Sequence, residues 1–169
     1  PRVALGVVPV GRGVSDTDRP DRPSSAGSDG PPVTGVARVD RRTKDLAKRV
    51  RRGEIAVIDH RDLDTVAAES LIEAGVVAVV NADCCVSGRY PNVGPLLLPA
   101  AGVVVVDAVG SEIMDELEDG ATITLEGGEV HCGGRVIAEG SRQTMTSLTE
   151  ILDRSRQSMG DELKRFAAN

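Results

Sequence analysis

The run Asn81–Pro95, NADCCVSGRYPNVGP, concentrates the side chains best suited to handling a ligand. Ser87, Arg89, Tyr90 and Asn92 offer hydrogen-bond donors, and Arg89 carries a planar fork that matches phosphate or carboxylate. Gly88 and Gly94 permit tight turns and close approach of the backbone. Asn81 opens the run, directly after an apolar stretch that reads as a buried strand, and open α/β sheets place ligands at the carboxyl ends of strands. No G-K-[ST] follows, so this is not a Walker-type loop. The bland alternative is a solvated crossover stiffened by Pro91 and Pro95.

Other chemistry is thinner. Asp59, His60, Asp62 and Asp64 could form an acid–base or cation-binding cluster. Aspartates just ahead of an apolar helical stripe more simply cap the helix, which leaves His60 on the surface. Ser87 has no histidine near it in sequence, so no Ser/His/Asp triad is assigned. Cys84, Cys85, Cys132, His60 and His131 are zinc-type ligands, but no C-x2-C pair exists and neighbours on a strand point to opposite faces. Buried free cysteines are the simpler reading. No catalytic residue, metal ligand or cofactor is assigned within this chain.

A second candidate surface is basic. ARVDRRTKDLAKRVRRG holds eight basic residues against Asp40 and Asp45, on a chain whose net charge is −6. Val39, Thr43, Leu46 and Val50 recur at helical spacing, which predicts an amphipathic helix over 38–52 closed by Gly53. Asp40, Arg41, Arg42 and Lys44 are its candidate interaction residues. The stripe lacks Trp or Phe, so docking to a protein is favoured over anchoring in lipid, and a merely solvated face stands beside both.

The elements that must position these groups alternate. EIAVID at 54–59 reads as a strand, and Leu63, Val66, Ala67, Leu71 and Ile72 as a helical stripe ended by Gly75. Val76–Val80 and Val103–Val106 are uninterrupted apolar strands, which implies a parallel sheet covered on both faces. Leu96–Ala101 reads as one or two helical turns, and Ser111 caps a short helix at 112–117. Three short strands follow at 122–125, 129–132 and 136–138, joined by Gly127-Gly128 and Gly133-Gly134 as hairpin turns. Met145, Leu148, Leu152, Met159, Leu163 and Phe166 form a seam along a long terminal helix, interrupted at Ser155. That seam has three possible occupants: this domain, a second copy in a homodimer, or the rod to a further domain. The predicted class is α/β, a βαβαβ core with a small β-meander and a long C-terminal helix. Its parts are a flexible leader at 1–35, an α/β domain at 36–140 and an amphipathic helix at 141–169.

Composition excludes several functions. The 169 residues include one Tyr, one Phe and no Trp, so stacking platforms for single-stranded nucleic acid are absent. The acidic balance argues against DNA binding, and nucleic acid is not an expected partner. No apolar run reaches the roughly 20 residues of a membrane span, and Val3–Val10 lacks a cleavage motif. A cytoplasmic setting is expected.

Three stretches carry a resemblance: RVDRRTKDLAKRVRRGEIAVIDHRDLD, AGVVAVVNA…SGRYPNVGP and AGVVVVDAVGSEIMDELEDG. Together they resemble the N-terminal region of SteA-type proteins, actinobacterial septation factors of the cytokinetic ring. The VDRRTK and SGRYPN segments are its most specific parts, and it extends from about Gly35 to the end. Asp83-Cys84-Cys85 departs from the small or polar residues of that family. The resemblance implies cell division, a SteB-like membrane protein as partner, and a position at the membrane division site. It also implies a thiamin-pyrophosphokinase-like, nucleotide-binding domain downstream in a larger protein. A weaker likeness in layout is to the swivelling β/β/α domain of phosphoenolpyruvate-utilising enzymes, whose phosphoryl-carrying histidine has no counterpart beside Ser87-Gly88-Arg89. Two functions follow as expectations. One is a non-catalytic ligand-sensing or protein-interaction domain. The other is the accessory half of a thiamin-pyrophosphokinase-like enzyme.

Overall fold

The computed structural model describes residues 30–168. Most of the segment read as a leader lies outside them. Strand β1 (Val33–Val39) leads into helix α1 (Thr43–Arg49), β2 (Ile55–Ile58), α2 (Thr65–Ala74) and β3 (Ala78–Asn81). A 3-10 turn (Gly94–Leu96) and α3 (Leu97–Ala100) connect to β4 (Val104–Asp107) and then α4 (Ile113–Glu116). Strands β5 (Thr122–Glu126), β6 (Glu129–Cys132), β7 (Arg135–Glu139) and β8 (Ser141–Gln143) precede α5 (Met145–Ala167). The class is α/β, with a mixed eight-stranded sheet in the order β7-β6-β5-β1-β2-β3-β4-β8.

Neighbouring strands from β1 to β4 are parallel. Their order never reverses, and right-handed crossovers in one direction stack every connecting helix on the same side. Ala56, Ile58, Val79 and Val105 accordingly face Leu46 of α1, Leu71 of α2 and Leu98 of α3. Their alternates Ile55, Val57, Ala78, Val80 and Val106 face a second layer with Ile113 of α4 and Ile123, Leu125 and Val130 of the antiparallel wing. Every residue of β2 and β3 is buried, as uninterrupted apolar strands require.

Three boundaries differ from the sequence reading. The helix expected over 38–52 is shorter. Arg38 and Val39 belong to β1, which begins at Val33 inside the predicted leader. The Asp40 carboxylate accepts the Arg42 N–H, a local turn that separates strand from helix, and α1 ends at Arg49, before Gly53. The meander is continuous with the main sheet through β5 beside β1. Residues 141–143, placed at the start of the terminal helix, form β8 and pair antiparallel with β4. Thr144 then caps α5 through a reciprocal box with Ser147. Only the first part of α5 is packed, through Leu148 and Leu152, while Met159, Leu163 and Phe166 stay exposed. Among the described residues, no helix is long and apolar enough to cross a membrane.

Candidate functional site

All four parallel strands end on one edge of the sheet, and their loops meet there. Asn81, at the end of β3, joins two of them. Its side-chain oxygen accepts the His60 N–H at 2.9 Å, and its amide donates to the His60 carbonyl at 2.8 Å. The same amide donates to Asp107, at the end of β4, at 3.2 Å. Asp107 also accepts the Cys85 N–H. Burial pushes the Asp107 carboxyl above its ordinary range, against the pull of these donors. It pushes the Cys85 thiol far higher, with Asp107 adding to the effect, and raises Cys84 as well.

The Ser87–Asn92 loop is fastened at both ends. Asp62, at φ +53°, accepts the Ser87 N–H at 2.7 Å and its hydroxyl at 2.8 Å. Asn92 is buried; its amide donates to the Leu63 carbonyl at 2.9 Å, and its oxygen accepts the Gly94 N–H. A Cβ on Gly94 would sit against backbone atoms of Leu63, Asp64 and Thr65, so only glycine lets the loop lie this close to the β2–α2 connection. Between the fastenings, Gly88, Arg89 and Tyr90 are exposed, as is Val93 beyond them. Gly88 faces Ser155 of α5.

Arg41, Arg42 and Lys44 belong to a different place. They line a cleft of about 970 Å³ between α1 and α2, together with Lys48, His60 and Arg61. Asp64 caps α2 by accepting the Ala67 N–H, as expected of an aspartate at that position. His60 is half-buried where the surface was expected, because the Thr43 hydroxyl lies 2.8 Å from its Nδ1. Arg41 pairs with Asp59 and Asp115.

Comparison with known proteins adds little to this geometry. No family model matches the chain, and no curated protein matches it. Among solved structures it is similar to 3-isopropylmalate dehydratase (leuD) of Methanocaldococcus jannaschii. The identity is 12%, the TM-score 0.41, and the match covers 79% of this chain and 98% of that one.

The candidate residues therefore fall into two surfaces and a frame. Arg89 and Tyr90 project from the loop, and Arg41, Arg42 and Lys44 ring the cleft. Asn81, Ser87 and Asn92 direct their polar atoms into the protein, while Asp40 bonds the turn before α1 and lies 3.7 Å from Arg49. Sequence reasoning missed Asp107 as the buried anchor and Asp62 as the loop's acceptor. A lone aspartate closing an apolar strand was the available signal for Asp107.

Proposed function

We propose that this chain is a protein-interaction domain of a SteA-like division protein, and that the Ser87–Val93 loop is its docking surface. One observation supports this most: the loop backbone is held by Asp62 and Asn92 while Arg89, Tyr90 and Val93 stand exposed. Arginine and tyrosine are the residue types that dominate interface energies, and a loop fixed beforehand loses little entropy on binding. The partner is the SteB-like membrane protein implied by the sequence resemblance. It recruits this domain to the division site, and a carboxylate on it pairs with Arg89.

Ser87 supports the same reading. Its hydroxyl donates to Asp62, an arrangement that holds a loop in place. Titrating the soluble segment of the SteB-like protein with this chain tests the proposal. Arg89→Ala is expected to weaken binding by tenfold or more while leaving the melting temperature unchanged. Unchanged affinity would reject the docking loop.

The accessory-half reading draws on the basic residues of the α1–α2 cleft, which would suit a nucleotide's phosphates. Among the described residues no Phe, Tyr or Trp lines the cleft to make a wall for a base. A clear ATP-dependent rise in melting temperature would favour this second reading over the first.

A further inference from the structure

The cations of the basic segment divide by partner. Arg38, Arg41 and Arg49 are engaged: Arg38 with Glu54 and Asp119, Arg41 with Asp59 and Asp115, Arg49 with Asp119. Arg42, Lys44 and Lys48 have no carboxylate within 4.0 Å among the described residues, and all three line the α1–α2 cleft. Lys44 and Lys48 are four residues apart, which puts them on one face of α1. Arg61, 3.9 Å from Asp83, lines the same cleft from the β2–α2 connection.

The acids along the cleft are mostly occupied. Asp59 holds Arg41 and Asp64 caps α2, leaving Glu73 further along. Five basic residues against three acidic ones make this cleft positive on an acidic protein. Its walls include Ala47, Val66 and Ala67. At about 970 Å³ it is large enough for a small organic molecule rather than an ion alone.

We propose that the cleft binds a non-aromatic phosphate monoester, such as a sugar phosphate or the headgroup of phosphatidic acid. Arg42, Lys44 and Lys48 take the phosphate; the alanine and valine wall takes the body. Among the described residues no Phe, Tyr or Trp lines the cleft, so beyond the small His60 imidazole a base finds no broad ring to stack on. Thr43 holds the His60 ring by its Nδ1. With Thr43 as donor, His60 Nε2 carries the proton and donates to the ligand. This site is independent of the docking loop, and either can fail without the other.

The test uses the full chain, observed by backbone amide NMR. Probes are glucose 1-phosphate, glucose as the uncharged control, and phosphatidylcholine vesicles with and without phosphatidic acid. Glucose 1-phosphate is expected to shift the amides of Thr43, Lys44, Lys48, His60 and Val66, and glucose to leave them in place. Each of Lys44→Ala and Lys48→Ala is expected to weaken binding about tenfold, the loss of one charge-assisted hydrogen bond. Arg135→Ala removes the same charge from an exposed position on β7 and is expected to change nothing. Binding confined to phosphatidic acid vesicles, and lost in the lysine variants, would assign the ligand to a lipid headgroup and still support the site. Equal weakening by Arg135→Ala, or no shift with either phosphate probe, would overturn it.

Discussion

Asp107 is a carboxyl group enclosed where β3 and β4 end, and its ionisation works against the fold. Its folded pKa lies above its unfolded value because burial disfavours the charge. Such a group contributes stability below the unfolded pKa and loses it as pH rises through the folded one, beginning near pH 4. Asp107→Asn keeps an oxygen for the Cys85 N–H and removes the charge. We expect urea denaturation to show a smaller loss of stability between acidic and neutral pH in the variant than in the parent. A slope unchanged by the substitution would assign the pH dependence elsewhere. Cys85 gives a second prediction at this scale. With its thiol buried and its pKa raised, alkylation by iodoacetamide should proceed only at the rate of unfolding. Rapid labelling under native conditions would refute that enclosure. Sequence marked Asn81 and Asn92 as candidate ligand residues, but an amide in sequence does not reveal which carbonyl it will meet. Both meet carbonyls from the β2–α2 connection.

At the scale of elements, the buried strands were legible because Val, Ile and Ala runs leave no polar face. Strand β1 was not, because Val39, Thr43, Leu46 and Val50 keep helical spacing across a boundary that a turn at Asp40 imposes. Strand β8 has no apolar signal in Ser-Arg-Gln and is stitched to β4 by backbone pairing. Nor could spacing reveal that Asp119 gathers Arg38, Arg49 and the Val39 N–H. Burial raises the Asp119 carboxyl, but these partners outweigh it and hold it below its ordinary value. Gly94 tests how the loop is set. A methyl group there meets three backbone atoms that side-chain rotation cannot move. Gly94→Ala is expected to cost about 1–3 kcal/mol of unfolding free energy and to speed amide exchange in 85–93. Stability within a few tenths of the parent would show that the loop can lie elsewhere.

For the whole molecule, strand order governs where ligands can go. An open parallel sheet forms its crevice where the strand order reverses, and here the order from β1 to β4 does not reverse. The loops at the sheet edge close on one another through Asn81, Asp107, Asp62 and Asn92, and a cleft of about 970 Å³ opens between α1 and α2. Fold class was therefore readable from the alternation of elements, whereas the division of the candidate residues into a loop and a cleft was not. That division depends on which helices share a face, a property of handedness that no single residue carries. The most direct measurement is a hydrogen-exchange footprint of the proposed SteB-like partner on this chain. The docking account predicts new protection between Ser87 and Val93, with the cleft amides of α1 and α2 unchanged. Protection confined to the α1–α2 cleft or to the exposed end of α5, with the loop exchanging as before, would contradict it.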